Sequence, residues 1–373
     1  MAAKAAAGVG DWAVQGRWLG ALSAWRSGDC SAAGTAFESV AASAGDVDLR
    51  AAALYWASRA DMACGRPEKI AARLTTAAQY PESFYGQLAR QALLLKDAPK
   101  VATGPVARDW VALEKRPNVR VAAALVEIGE TSLADTLIRH QARIGEMQDH
   151  EALLRLAARL NLPSAQIWLA QNGPAGARVS AASRYPAPAW VPQGGWRVDK
   201  ALVYAHTLQE SQFRTDATSP AGARGLMQVL PSTAQLIARR QGQTVDSADL
   251  YQPTVNMAYG QAYLEQLRDA AGTGGLLPKV IAAYNAGPGA VLKWNDRARD
   301  RGDPLLFIES IPYVETRGYV ATVLRNYWMY QREAGETSQS LRAMAQYMWP
   351  KFPGLPGKSA IRIDPVRGTQ SAE

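Results

Sequence analysis

Apolar residues recur at helical spacing through this chain, and no strand pair or hairpin signal stands against them. That restricts the fold to packed helices. Hydrophobic residues make up 48% of the 373. Ala dominates among them and β-branched residues are sparse, which favours helix over strand. The length allows two domains, each with its own core. From about residue 10 to 172 the pattern reads as successive helix pairs. One unit holds Trp25, Gly28, Phe37 and Val40, and a second holds Tyr55, Trp56, Gly65, Ile70 and Leu74. Gly129 and the pair Leu162-Pro163 open similar units, so an α-solenoid is expected over 1–171.

Residues 172–195 break the pattern. Pro186, Pro188 and Pro192 rule out a continuous helix there, and the stretch reads as an ordered connector with Tyr185 and Trp190 packed onto a domain. From Trp196 a helical stripe of Val198, Ala201, Leu202, Ala205 and Leu208 begins a second domain, 196–350, with further helices to about Tyr330. After Pro350 the chain is basic and rich in Pro and Gly. The segment 351–373 is expected to be an irregular arm or disordered.

Charge narrows the partners. With 41 Lys and Arg against 33 Asp and Glu, the formal net charge is +8. A basic protein favours anionic partners such as nucleic acid, membrane or wall polymer. The charge is spread without a long Lys/Arg run, and there is no zinc-ligand pattern or RNA-binding aromatic motif, so nucleic acid is not the expected partner. No apolar run is long enough to span a membrane, so any membrane association is peripheral. The start, MAAKAAAGVGDWAVQG, lacks an apolar leader core. Either the protein works in the cytoplasm or a leader has been removed. Cys30 and Cys64 are too few for a disulfide framework. Both fall at helix ends on one edge of stacked hairpins, so a disulfide and two free thiols stand as alternatives.

The chemistry concentrates between Gln209 and Thr233, QESQFRTDATSPAGARGLMQVLPST. Glu210 ends the helical stripe, a Ser/Pro/Gly loop follows, and the chain re-enters an apolar run at Gly225-Leu226-Met227-Gln228. A carboxyl on a rigid helix beside apolar groups is suited to general acid work, because burial favours its protonated form. A lone Glu on a helix is otherwise a solvated surface residue. His206, four residues earlier on the same face, has no third ligand at a sensible spacing and reads as packing or a surface polar group. No metal or cofactor is expected.

Four blocks occur in order: Glu210-Ser211-Gln212-Phe213, Gly225-Leu226-Met227-Gln228, Ala283-Tyr284-Asn285-Ala286-Gly287, and Glu309-Ser310-Ile311-Pro312-Tyr313 with Glu315-Thr316-Arg317. Together they resemble the soluble lytic transglycosylases, whose catalytic domain is of the goose-type lysozyme-like kind. Ser219-Pro220-Ala221-Gly222-Ala223 resembles the family's loop, and Leu250, Pro253, Asn256, Gly260 and Tyr263-Leu264 its central helix. The resemblance implies an all-α protein, with an N-terminal superhelical domain followed by a lysozyme-like catalytic domain. It also implies a periplasmic or cell-envelope location, peptidoglycan glycan strands as partner, and other cell-wall enzymes as further associates.

The implied reaction cleaves the β-1,4 bond between N-acetylmuramic acid and N-acetylglucosamine without water, leaving a 1,6-anhydro product. By the same resemblance Glu210 is catalytic, first acid and then base. Ser219 would hydrogen-bond near the acid, Met227 would form an apolar floor, and Gln228 would hold a substrate amide or hydroxyl. Tyr284 would direct its hydroxyl at the N-acetyl group or at Glu210. Asn285 is placed in the substrate-binding set, with a turn-organising role beside it. Glu315 would bind sugar, its alternative being an ion pair with Arg317 or another Arg. Asp216, the nearest second carboxylate, reads as a turn residue. The alternatives are a muramidase of the same fold and a non-catalytic wall-binding scaffold. The short helical half also leaves open whether a full superhelical ring forms.

Overall fold

The structure, a computed structural model, describes residues 10–96, 107–177, 179–295 and 297–363. It is all-α, as the helical spacing predicts, with 19 α-helices among the described residues. Two regions read from the sequence lie partly outside that range: the N-terminal residues before Gly10 and the tail after Ile363.

The helices form two compact units that do not follow sequence order. One is built from residues up to 96, from Ala270 to Trp328 and from Ser338 onward; the other from 107 to Asp269 and from Met329 to Thr337.

The first unit begins with the helices α1 (Asp11–Ser27), α2 (Cys30–Ser43), α3 (Val47–Ala63), α4 (Pro67–Ala77) and α5 (Phe84–Ala92). Their starts are written in the sequence. Asp29, Asp46 and Ser83 each accept a backbone N–H of the first turn, and Pro67 occupies a first-turn position that needs no donor. Turns at Gly28 and Gly65 close the expected helix pairs. Cys30 opens α2 and Cys64 ends α3, and the two sulfurs are bonded with Cα atoms 5.7 Å apart, which decides between the alternatives left by the sequence.

The core of these hairpins is aromatic. Trp18 meets Phe37 edge-on at 5.3 Å, and Phe37 stacks on Trp56 at 5.9 Å. From there the Trp56 indole donates to Tyr85 Oη at 2.9 Å, and Tyr85 donates to Glu309 Oε1 at 2.6 Å. Glu309 belongs to the later segment of the same unit, which holds α15 (Leu277–Ala286), α16 (Pro288–Asn295), α17 (Pro304–Ser310) and the start of α18 (Val314–Ala334). Arg59 pairs with Asp303, the N-cap of α17, and Arg26 donates to Ser310 Oγ at 2.7 Å. These polar bonds bind the early hairpins to residues more than two hundred positions on. Burial raises the Glu309 carboxyl pKa against the Tyr85 hydrogen bond and the charges of Arg317 and Arg26.

The unit closes with α19 (Gln339–Ala345) and a two-residue antiparallel pair, β1 (Trp349–Pro350) with β2 (Ala360–Ile361). The expected irregular arm is therefore tied down as far as Ile363. Lys351 donates its amide to Ser359 and Phe352 donates to Gly275. Alternation over two residues gives no readable strand signal, so this pairing is set by packing.

In the second unit α6 (Ala107–Leu113), α7 (Pro117–Glu127), α8 (Thr131–Ile144), α9 (His150–Arg159) and α10 (Pro163–Gln171) enclose a core that includes Leu113, Val119, Ile138, Leu153 and Leu169. A short α11 (Ala181–Arg184) lies in the connector. The connector is ordered as expected. Ala189 donates to Asn161 Oδ1 at 2.8 Å, Tyr204 donates to the Pro188 carbonyl at 2.6 Å, and the Trp190 ring lies 6.3 Å from that of Phe213. Then come α12 (Lys200–Ser211), α13 (Pro231–Arg240) and α14 (Pro253–Arg268).

Candidate active site

The seven expected site residues fall into two groups, one in each unit. Glu210, Ser219, Met227 and Gln228 belong to the second unit; Tyr284, Asn285 and Glu315 belong to the first.

Glu210 is the penultimate residue of α12 and half-buried. The rest of that helix is rigidly held. Asp199 caps its start by accepting the Ala201 amide, and residues from Ala201 to Thr207 are buried. His206 is fully buried, its Nδ1 bonded to the Leu202 carbonyl at 2.9 Å. Burial pushes its pKa down to about 4, so the ring is neutral at neutral pH. The packing reading of His206 therefore stands, and a surface position is excluded.

After the helix the backbone bends sharply. Gln212 and Phe213 have φ values of 51° and 61°, and Gln228 has 48°. Left-handed backbone at residues other than Gly is costly and persists where the surroundings impose it, commonly at functional sites. Here the imposing groups are visible. Ser211 Oγ donates to the Leu226 carbonyl at 2.7 Å, joining the end of the Glu210 helix to the apolar run of the loop.

Asn256 holds the same run from the other side. This fully buried residue of α14 accepts the Met227 amide at 2.8 Å and donates to the carbonyls of Arg224 and Leu250 at 2.8 and 2.7 Å. Gly260 lies one turn further along the same helix face. A Cβ at Gly260 would fall 2.2 Å from Met227 Sδ, and one at Gly225 would fall 2.2 Å from the Leu250 carbonyl oxygen. A side chain at Gly225 would collide with backbone and one at Gly260 would force Met227 or its helix to move, and Met227 is fully buried in the space they leave.

The polar loop residues mainly organise the loop. Ser219 Oγ accepts the Ala223 amide at 3.0 Å, and its hydroxyl proton is not used in that bond. Gln228 Nε2 donates to the carbonyls of Gly225 and Ala217 at 2.9 and 3.2 Å, bonds that leave Oε1 as an acceptor. Asp216 lines a polar pocket with Asp135 and Arg139 of α8. Burial raises the Asp135 pKa, opposed by Arg139 and aided weakly by Asp216.

In the first unit Tyr284 and Asn285 lie in the last turn of α15. Asn285 Oδ1 accepts the Thr316 hydroxyl at 2.5 Å, and its Nδ2 lies 3.5 Å from Glu315 Oε1. One amide thus ties the third sequence block to the start of α18. Arg317, the alternative partner of Glu315, instead donates to the Ile311 carbonyl at 3.3 and 3.1 Å. Glu315 remains exposed.

Sequence reasoning placed Asn256 in a resembling helix and gave it no role. The available signal was a polar residue on the helix face that also carries Met257, Gly260 and Leu264. Gln261 was missed outright. It is fully buried, accepts the Arg197 amide at 3.0 Å and donates to Gly195 at 2.8 Å, so it anchors the chain leading into α12.

Known proteins resemble the stretch that carries these residues. The family model described as "Transglycosylase SLT domain" matches residues 191–307. Over those residues the chain is similar to the transglycosylase SLT domain. The match contains Glu210, the 217–228 loop, Asn256 and the Tyr284-Asn285 pair, and it stops short of Glu315.

Among similar proteins, a putative soluble lytic murein transglycosylase of Haemophilus influenzae is 41% identical over 135 residues, 36% of this chain and 22% of that protein. The soluble lytic murein transglycosylase of Escherichia coli is 37% identical over 132 residues, 35% of this chain and 20% of its own length. Similarity in structure extends further. The 70 kDa soluble lytic transglycosylase of Escherichia coli superposes with a TM-score of 0.74 at 22% identity, over 94% of this chain and 58% of that one. An inactive mutant of the lytic transglycosylase Slt from Pseudomonas aeruginosa gives 0.68 at 26% identity, over 87% and 52%. The fold is thus shared over nearly the whole chain, and this chain spans little more than half the length of those solved relatives.

Proposed function

We propose that the protein is a lytic transglycosylase that cleaves the β-1,4 bond between N-acetylmuramic acid and N-acetylglucosamine in peptidoglycan. The observation that carries this reading is the seat of Glu210. It stands at the end of a buried helix and is joined through Ser211 to a loop clamped by Asn256 and closed over Gly260, all within the SLT domain. The names of the similar proteins supply the substrate and reaction type.

In this reading Glu210 protonates the glycosidic oxygen as the bond to muramic C1 breaks. The resulting carboxylate then takes the proton of the C6 hydroxyl, whose oxygen attacks C1 and closes the 1,6-anhydro ring. The substrate's own N-acetyl oxygen stabilises C1 between the two steps. One enzyme carboxyl therefore suffices where ordinary glycosidases use two. Met227 provides the apolar floor. Gln228 Oε1 and the Ser219 hydroxyl offer an acceptor and a donor to the glycan, and Tyr284, Asn285 and Glu315 bind sugar.

The sequence-order division carries the functional one: 1–171 holds glycan strands, 172–195 connects and 196–350 does the chemistry, with 351–373 a basic tail. The site of action is the periplasm. Among the described residues no helix is long and apolar enough to cross a membrane, and the basic net charge favours the anionic wall. Clearing of a suspension of purified sacculi tests the proposal. The wild type should clear it and Glu210→Gln should not, with both proteins still sedimenting with sacculi. Equal clearing by the variant would remove Glu210 from the mechanism.

A further inference from the structure

A second cavity, of about 690 Å³, lies in the first unit and contains none of the residues given a role in cleavage. Its charge is one-sided. Arg59, Arg301 and Arg362 line it against the single carboxylate of Asp303.

Arg59 is 7% exposed and held in place on several sides. Its guanidinium lies 5.1, 4.4 and 4.2 Å from the rings of Trp25, Trp56 and Tyr347, and it pairs with Asp303. Cation–π contacts and one carboxylate fix the group but do not accept all its N–H groups. The Nη1 atom is buried and has no hydrogen-bond partner among the described residues. An unsatisfied buried donor on a charged group is costly, and proteins rarely keep one without a use. Tyr347, whose ring covers Arg59, sits at φ 57°. Left-handed backbone at an aromatic residue is a further cost spent at this cavity.

Arg301 and Arg362 are exposed. Each donates one N–H to a backbone carbonyl, Arg26 at 2.6 Å and Gln346 at 3.3 Å, and neither pairs with a carboxylate among the described residues. Cys30 also lines the cavity, so the Cys30–Cys64 bond holds one wall.

We infer that this cavity binds a small oxyanion, a carboxylate or a phosphate, through Arg59 Nη1 at the buried end and the guanidinium forks of Arg301 and Arg362 at the exposed end. Guanidinium groups suit both oxyanions because their parallel N–H bonds match paired oxygens. Asp303 neutralises only one of the three cations, so an anion completes the charge balance. The ligand is reversibly bound, and no bond is made or broken.

Isothermal titration calorimetry on the full chain at fixed ionic strength tests the inference, with N-acetyl-alanyl-alanine and inorganic phosphate as the two probes. At least one should bind saturably with one site, and whichever binds identifies the source of the oxyanion. The C-terminal amide of the dipeptide should not bind. The double variant Arg301→Ala/Arg362→Ala, on exposed side chains, should weaken binding about tenfold or more without changing the melting temperature. Arg240→Ala, a surface control, should bind as wild type. Glu210→Gln should also bind as wild type, which separates this site from the proposed cleavage. The inference is overturned if neither probe saturates at concentrations up to about 10 mM, or if the double variant binds as tightly as the wild type.

Discussion

Gly260 shows how little freedom Met227 has. A methyl group there meets the methionine sulfur well inside van der Waals contact, so either the side chain or α14 must move. Gly260→Ala should lower stability by about 1–3 kcal/mol, the usual cost of overpacking. It should also depress cleavage of sacculi, because the floor under the loop shifts. Urea unfolding and a turbidity assay would show this, and unchanged values in both would contradict the packing.

His206 makes a second residue-scale prediction. Its folded pKa of about 4 lies below the ordinary 6.5. Its contribution to stability is therefore present above pH 6.5 and is lost as pH falls through 4, on the order of 3 kcal/mol in all. The chain has 3 His residues, so NMR titration of the imidazole protons can follow each one. A His206 midpoint near 6.5 would contradict its burial. At this scale the sequence was informative about type and silent about partners. Glu210 on a helix end and the apolar surroundings of Met227 were legible from spacing and apolar neighbours, while His206 was left between packing and the surface. That Ser219 and Gln228 bind their own loop was not, because those bonds depend on the left-handed turns at Gln212, Phe213 and Gln228.

The loop from Ala217 to Val229 keeps its shape through α14. Asn256→Ala would strip the side-chain partner from the Met227 amide and the Leu250 carbonyl, whereas the Arg224 carbonyl keeps the Val229 amide at 3.1 Å. Each buried group left unpaired costs about 1–3 kcal/mol, so with two such groups the variant should lose more than about 2 kcal/mol or fail to fold. A loss below 1 kcal/mol in urea unfolding would show that water replaces the amide. The existence of α12 was readable from its apolar stripe, and that of α14 from its likeness to the family's central helix. The clamp between α14 and the loop was not, since it joins residues 29 positions apart through one polar side chain. The β1–β2 pair was unreadable for a related reason, being too short to carry a period.

For the whole molecule, sequence order predicted helical hairpins followed by a catalytic domain, whereas the compact units are discontinuous in sequence. Long-range polar bonds explain the difference within the first unit. Tyr85 to Glu309 and Arg59 to Asp303 join segments separated by 224 and 244 residues, and no local pattern marks them. The Cys30–Cys64 bond closes a loop of the same unit, with a sequence separation of 34. Replacing both cysteines by serine should cost about 3–4 kcal/mol through the freer unfolded chain. Equal urea midpoints for the oxidised and Cys-free proteins would contradict this.

The central claim concerns the reaction, and product mass tests it most directly. Soluble products from purified sacculi should be 1,6-anhydro-muropeptides with the wild type and absent with Glu210→Gln. Reducing-end products, heavier by one water, would contradict the account and make the protein a hydrolase.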